Sequence, residues 1–562
     1  MRLNSANSLV GIGIVIGVAC VEIPETQTLI GVNAGGSSMG ATGGVQAGTG
    51  GMSGEGNVAG ASAGNSSAGN DGAAGNDGAA GNDGAAGTSG VAGNNGDGGD
   101  AGSAGAPANG GAAGDDGAAG SGGQQGPLAL NYQLTGTWPE LEAAVQQATG
   151  DLSYSKIQVQ GEFMAESCAI GDYNDDGEPD VSSGRRWYEG PSFATEHIFR
   201  DGHDALPRDS NTPFNEGISD DWADFAWDMN ADGFADIINI ASPDVDESAT
   251  GTALDDPQPH ATAYWYENPG AGWDANPEWA AHLMHDDVRH EQHGFADVDG
   301  DGKPEIFGAC KNCIPNQTLG YYSADWLNPT GDWAYSDIAG VTFPFSGTGW
   351  MHGLGFGDVD DDGLPDLLEP GGIWRQLSGA QGWELHATNL YDGVAGDNRG
   401  GAQMYAWDVD GDGDNDIFSA DWAHGWGLAW YEQTTAWTFV RHQFMGTDSE
   451  TGTYGPVVFS QPHAVQVVDM DGDGVRDIVT GKMRFAHPNG YGDPDLLGTP
   501  YVYVFKTVRD NSGVSGEAHF EPYLVVDVVG VGRQIAVGHA NKDGIMDICV
   551  SSKLGLFVFL GN

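Results

Sequence analysis

The residues best placed to do chemistry are the aspartates of DVDGDGDND, Asp408 to Asp416, because close copies of this stretch recur six more times. The copies begin at Asp172 (DYNDDGEPD), Asp228 (DMNADGFAD), Asp297 (DVDGDGKPE), Asp358 (DVDDDGLPD), Asp469 (DMDGDGVRD) and His539 (HANKDGIMD). The shared pattern, D-x-[DN]-x-D-G-x-x-[DE], sets oxygen donors at positions 1, 3, 5 and 9. The Gly at position 6 allows the sharp turn that would curl them around one hard cation. An all-oxygen, carboxylate-rich and flexible donor set suits calcium. The predicted donors are Asp172, Asn174, Asp176 and Asp180; Asp228, Asn230, Asp232 and Asp236; Asp297, Asp299, Asp301 and Glu305. They continue with Asp358, Asp360, Asp362 and Asp366; Asp408, Asp410, Asp412 and Asp416; and Asp469, Asp471, Asp473 and Asp477. The seventh copy, with His539 at position 1 and Lys542 inside the loop, is expected to bind weakly or not at all, which leaves about six calcium sites. Asn174 and Asn230 each remove one charge and should lower affinity. The expected role of the ions is structural, pinning turns that the unfolded chain does not preform.

A second set of reactive side chains emerges from strand alternation. Six residues before each loop's first donor stand Glu166, Trp222, Glu291, His352, Ala402, His463 and Arg533. Four before stand Cys168, Asp224, His293, Leu354, Met404, Val465 and Ile535, and two before, all are apolar or small. Polarity thus rises toward the start of the strand that enters each loop. If that face lines a central channel, Glu166, Asp224, Glu291, His293, His352, His463 and Arg533 gather at one mouth. Such a group suits general acid–base work or a transition metal; a wet channel mouth would also collect polar residues without any function. His293, His352, His463, Glu291 and Arg533 are the candidate catalytic residues.

The elements that must position these groups are short strands. Each repeat has an apolar run entering the acidic loop and a β-run leaving it, such as Ile237–Ile240 or Ile548–Val550. An aromatic third strand follows: WYEG at 187–190, YWYEN at 264–268, LAWYEQ at 428–433, YVYVFK at 501–506 and LFVFLG at 556–561. A less regular fourth run comes next, as at Glu196–Arg200 and Thr438–His442. Four strands per unit of roughly 60 residues predict propeller blades. The last unit ends after its third strand, and Tyr154–Gln160 has no blade of its own. The prediction is an all-β, seven-bladed β-propeller in which this N-terminal strand closes the last blade.

The D-x-D-x-D-G-x-x-D loops resemble the FG-GAP/VCBS repeat family, which includes the propellers of integrin α subunits and many bacterial surface proteins. The resemblance covers residues 150 to 562. It implies the blade type and calcium, but not one function, because the family spans adhesion, scaffolding and carbohydrate-active enzymes.

Three segments are expected. Residues 1–20 read as an export signal: Arg2, an apolar run from Leu9 to Ala19 too short to span a bilayer, and Gly17-Val18-Ala19-Cys20, similar to a lipoprotein lipobox with Cys20 as lipid anchor. Residues 21–126, dominated by Gly, Ala, Asn, Asp and Ser, read as a flexible tether, although Gly at every third position from Gly69 to Gly105 also matches a collagen period. Residues 127–562 form the propeller, with a short helix expected at Trp138–Thr149.

Twenty Lys and Arg against 80 Asp and Glu give a net charge of −60, which excludes nucleic acid and anionic membrane surfaces as natural partners. Five Cys exclude a disulfide-framework fold; Cys310 and Cys313 suggest a small loop disulfide, and Cys168 and Cys549 fall in blades that closure would make neighbours. His424 and His487 read first as structural, Lys482 and Arg484 equally as recognising a carboxylate or as pairing with a nearby Asp, and the Trp residues as packing between blades. Outside the low-complexity stretch, no serine-hydrolase elbow, phosphate loop, dinucleotide fingerprint or HExxH motif occurs. The function expected is an exported, surface-displayed monomer that recognises a glycan or extracellular protein, with membrane attachment through lipid alone. The alternatives are a carbohydrate-active enzyme of the polysaccharide lyase or sugar dehydratase type, with its site at the channel mouth, and a passive scaffold.

Overall fold

The computed structural model describes residues 152–562 except 202–218, 220, 242–261, 274–277, 286–290, 311–318, 339–351, 379–381, 392–399, 487–492, 496–497 and 511–515. The export signal, the tether, the Trp138–Thr149 helix, His487 and the Cys310–Cys313 pairing lie outside what is described.

The described chain is all-β, apart from two single 3-10 turns. β1 (Tyr154–Gln160) precedes the first repeat. β2 (Ala169–Gly171), β3 (Asp180–Ser183), β4 (Arg186–Tyr188) and β5 (Glu196–Ile198) form one antiparallel sheet. The next comprises β6 (Asp221–Trp227), β7 (Asp236–Ala241), β8 (Thr262–Glu267) and β9 (Ala280–His285). A third contains β10 (Gly294–Ala296), β11 (Glu305–Cys310), β12 (Leu319–Ser323) and β13 (Ala334–Asp337). Then come β14 (Leu354–Gly357), β15 (Asp366–Glu369), β16 (Gly372–Leu377) and β17 (Gly382–Ala387), followed by β18 (Gln403–Trp407), β19 (Asp416–Ala420), β20 (Leu428–Thr435) and β21 (Thr438–Met445). These two runs of four fuse into one eight-stranded sheet, because β14 pairs in parallel with β18. Gly355 permits that approach: a Cβ there would sit 1.8 Å from the Met404 carbonyl oxygen. β22 (Val465–Val468), β23 (Asp477–Gly481), β24 (Val502–Arg509) and β25 (Ala518–Val526) make a further sheet. β26 (Ile535–Gly538), β27 (Asp547–Ser552) and β28 (Gly555–Gly561) form the last, with β1 antiparallel to β28 from Tyr154↔Gly561 onward.

This arrangement is propeller-like. The first strands of successive units lie against one another: β14 with β18, β18 with β22, β22 with β26, β26 with β2, and β2 with β6. Apolar clusters fill the spaces between units. One holds Trp187 and Phe199 with Ile237 and Trp279; another joins Ile170 and Val181 to Ala536 and Val558. Each large side chain so buried contributes roughly 2–3 kcal/mol.

The third and fourth strands carry a recurring triad. In β4/β5, β8/β9 and β20/β21, a Trp stacks on the cross-strand His, with centroids 4.2, 4.3 and 4.5 Å apart for Trp187–His197, Trp265–His282 and Trp430–His442. The imidazole Nε2 lies 2.8, 2.7 and 2.6 Å from Glu189, Glu267 and Glu432, two residues beyond each Trp. Trp and Glu of the WYE motif, two residues apart, thus share one sheet face and engage the same imidazole, while the Tyr between them faces the other side.

Cys168 and Cys549 form a disulfide, Cα atoms 6.4 Å apart, both fully buried. It ties β27 to the segment leading into β2, across 381 residues of sequence. Closing so long a loop restricts the unfolded chain strongly. Reduction, or Cys549→Ser, should therefore lower stability by about 2–5 kcal/mol, read from denaturant unfolding with and without reductant; unchanged midpoints would contradict this role.

Candidate functional site

The acidic loops connect the first and second strands of each unit. Their position-6 glycines all adopt positive φ, from 78° at Gly177 to 100° at Gly413, the left-handed turn that the pattern calls for. The Gly amide then donates to the position-1 carboxylate, as Gly177 does to Asp172 and Gly474 to Asp469.

Position 9 differs from the expectation of a plain cation donor. Its carboxylate is buried in every loop and, in six of the seven, accepts backbone amides both from position 2 and from within or just after the third strand. Asp180 takes Tyr173 and Gly190; Asp236 takes Met229 and Asn268; Asp366 takes Val359 and Gln376. Asp416 takes Val409 and Gln433, Asp477 takes Met470 and Thr507, and Asp547 takes Ala540 and Gly561. Glu305 takes Val298. This residue is first a staple, closing loop onto sheet.

Carboxylate oxygens within 4.8 Å of one another occur at positions 1, 3 and 9 in four loops: Asp297–Asp299–Glu305, Asp358–Asp360–Asp366, Asp408–Asp410–Asp416 and Asp469–Asp471–Asp477. These sets fit a hard cation. The position-5 residues Asp301, Asp362, Asp412 and Asp473 fall outside them and accept the position-7 amide instead, as Asp412 does from Asp414. In the first two loops Asn174 and Asn230 donate to Asp176 and Asp232, at 3.3 and 3.1 Å. In the seventh, His539 faces the Ile545 carbonyl at 2.9 Å while the Asp547 staple persists. Three loops have a cation at their donors: Arg375 reaches Asp360 and Asp362 at 2.5 and 3.1 Å, Lys506 reaches Asp471 and Asp473, and Arg509 lies 3.9 Å from Asp408.

At the opposite end of the inner strands, about 20 Å away at roughly 3.3 Å per residue, the residues six before each loop meet across units. Glu291 Oε2 lies 3.2 Å from His463 Nε2 and 3.7 Å from His352 Nδ1. His463 Nε2 is 3.2 Å from His424 Nε2. The same end holds Glu166, fully buried, with Lys553 at 2.6 Å and Arg533 at 3.8 Å. Arg533 also lies over the Trp222 ring, 4.8 Å from its centroid. Burial alone would raise the Glu291 carboxyl, but His352, His463 and Arg533 hold it well below the usual range.

Of the predicted rim residues, then, Glu166, Glu291, His352, His463 and Arg533 converge. His293 is buried, packing beside Trp222 and a small cavity lined by Phe307, Leu354 and Met404. Asp224 departs from the mouth into its own network with Asn239 and the Gly184 amide, with burial raising its carboxyl to about 6. His424, read from sequence as structural, completes the cluster from the turn after β19. The signal lay in its unit: the strand there offers only Ala402 at the corresponding position. Lys482, wholly buried, donates to Ser460, and burial pushes its amine down to about 8.

Residues 408–480 match the FG-GAP-like repeat model. That stretch contains two complete acidic loops, with the strands between them. No curated protein sequence matches the chain. Among solved structures, it is similar to an Agrocybe aegerita lectin described as recognising non-reducing terminal N-acetylglucosamine, at 15% identity and TM-score 0.33, over 67% of this chain and 82% of that one. It is also similar to the rhamnogalacturonan lyase YesW, at 11% identity and TM-score 0.34, over 72% of each chain.

The staples carry a pH signature. Burial, reinforced by neighbouring acids, raises Asp180 and Asp547 to about 7, Asp236, Asp366 and Asp416 to about 8, and Glu305 to about 9. Unfolded carboxyls titrate near 4, so between that pH and about 9 the cation-free folded state binds protons that the unfolded state has released. Its stability must fall as pH rises through this window. Melting temperatures of dialysed, cation-free protein should drop from pH 5.5 to 8.5, and calcium should flatten the slope. A cation-free melt that rises with pH would contradict this assignment.

Proposed function

We propose that this chain is an exported, calcium-stabilised, seven-bladed β-propeller that recognises a hydroxyl-rich ligand, a glycan foremost, at the rim built from Glu291, His352, His424, His463 and Arg533. The observation that carries the reading is the convergence of these groups from separate units at the end away from the acidic loops. Hydrogen-bonding side chains clustered at one mouth suit a polyol ligand, as ligand sites generally collect a few convergent polar groups.

Seven blades are supported by the five four-stranded sheets, the eight-stranded sheet divisible into two runs of four, and the pairing of β1 with β28. Apolar clusters between each unit and the next, including the last and the first, support closure. Calcium is assigned first to the loop at Asp297. Arg375, Arg509 and Lys506 partly neutralise those at Asp358, Asp408 and Asp469, which would weaken a cation there. Export is supported by the apolar run ending at Cys20 and by the Cys168–Cys549 disulfide, which suits an oxidising compartment. In this reading residues 21–126 tether the propeller, Cys20 carries the lipid, and a protein ligand is the other partner class.

A second reading, a carbohydrate-active enzyme of lyase or dehydratase type, draws on one observation: His352 and His463, set against an ionised carboxylate that orients them, suit proton abstraction and relay by imidazole. One experiment separates the two. The full chain with calcium is tested for retention on acidic and neutral polysaccharides and for new unsaturated products. Recognition predicts retention without product, weakened at least about tenfold in Arg533→Ala, as expected for a lost charged hydrogen-bonding partner. Product that vanishes in His463→Ala would establish the enzyme instead. Absence of both would overturn the glycan reading.

A further inference from the structure

The geometry points to a single transition-metal site at the rim, with His352, His424, His463 and Glu291 as ligands and a divalent ion of the zinc class as occupant. The four residues each offer one donor, and all four donors lie within 4.8 Å of one another. The measured separations, 3.2 Å for His463 Nε2 to His424 Nε2, 3.2 Å for His463 Nε2 to Glu291 Oε2 and 3.7 Å for His352 Nδ1 to Glu291 Oε2, are those of a coordination shell. Metal–donor bonds of about 2.0–2.1 Å place neighbouring donors of a tetrahedron roughly 3.4 Å apart.

His352 Nδ1 also lies 3.2 Å from Gln292 Oε1, but hydrogen bonding alone explains the packing at His463 poorly. His463 Nε2 carries at most one proton, yet faces both an imidazole nitrogen and a carboxylate oxygen at 3.2 Å. Its Nδ1 is buried without a hydrogen-bond partner, and the residue is 1% exposed, so the ring's polar contacts all run through Nε2 into the cluster. A cation at the centre would accept the convergent lone pairs at once.

The donor set selects the ion. Three imidazoles and one carboxylate suit zinc, cobalt, nickel or iron, whereas calcium prefers all-oxygen shells. Of the fixed cations at this end, Lys553 and Arg533 lie 2.6 and 3.8 Å from Glu166, which partly offsets their charge. The side chains of His352 and Glu291 remain about a tenth exposed, 10% and 11%, so the ion would face solvent on one side and take an external oxygen ligand there. The inference rests on the rim of the proposed binding reading, but its test needs no polysaccharide.

The tag-free full chain, stripped by dialysis, is titrated with Co²⁺ in excess calcium; metal content is measured by elemental analysis and the site by its visible d–d absorption. The expected result is one equivalent of Co²⁺, displaced by Zn²⁺, with Co²⁺ affinity at least about 100-fold weaker in His424→Ala, a ligand loss exceeding the 10–100-fold typical of outer-shell changes. Because His463 is buried, His463→Ala could unfold the blade; His424→Ala and Glu291→Gln, checked by near-UV circular dichroism and unchanged calcium content, keep the test decisive. No Co²⁺ retained in the presence of calcium, or retention unchanged in both folded variants, would overturn the site.

Discussion

One interaction recurs through this fold: a buried carboxylate at the ninth position of each acidic loop, held by backbone amides. In six of the seven loops the amides come from opposite sides, one from the loop's own second residue and one from the third strand of the sheet, as for Asp416 with Val409 and Gln433. Without that carboxylate, both amides would be buried and unpaired, each costing about 1–3 kcal/mol. The same group fixes where the loop ends, because it is the first residue of the second strand in every unit. Strand register follows from it, and with register the face on which each side chain emerges.

That constraint separates two ends of the fold. At one end the loops gather negative charge, shared among carboxylates, backbone amides and, at Asp360 and Asp471, the side chains of Arg375 and Lys506. At the other, residues of the entering strands are brought within hydrogen-bond distance across units. Because register is locked by the staple, Glu291, His352 and His463, each six residues ahead of its loop, are delivered to the same level. The unit with His539 in place of the first aspartate still keeps its staple and still presents Arg533 at that level. Cation coordination and register are therefore distinct contributions of one motif.

The repeat, the strands flanking each loop and the rim residues Glu166, Glu291, His352, His463 and Arg533 were all legible from spacing alone, because period-two alternation projects directly onto one sheet face. Other features depended on tertiary approach. His424 sits in a turn whose direction no local pattern states. The pairing of β14 with β18 needs Gly355 beside a neighbouring backbone, a contact between units rather than within one. Asp224 holds the same position relative to its loop as His293 does in the next unit, yet turns into a hydrogen-bond network supplied by Asn239 from the next strand. The WYE aromatics were visible as a third strand, but their stacking on His197, His282 and His442 depends on cross-strand register in the least regular part of each unit.

The most direct test of the central claim compares two substitutions in the loop that lacks the first carboxylate, Asp547→Ala and Asp543→Ala, by denaturant unfolding of cation-free protein. If the ninth residue acts as a staple independent of any cation, Asp547→Ala should cost about 2–6 kcal/mol, the sum expected for two unpaired buried amides, while Asp543→Ala, at an exposed site, stays within about 1 kcal/mol. Equal losses, or a loss at Asp547 that appears only when calcium is present, would show that the carboxylate serves the cation and that register has another origin.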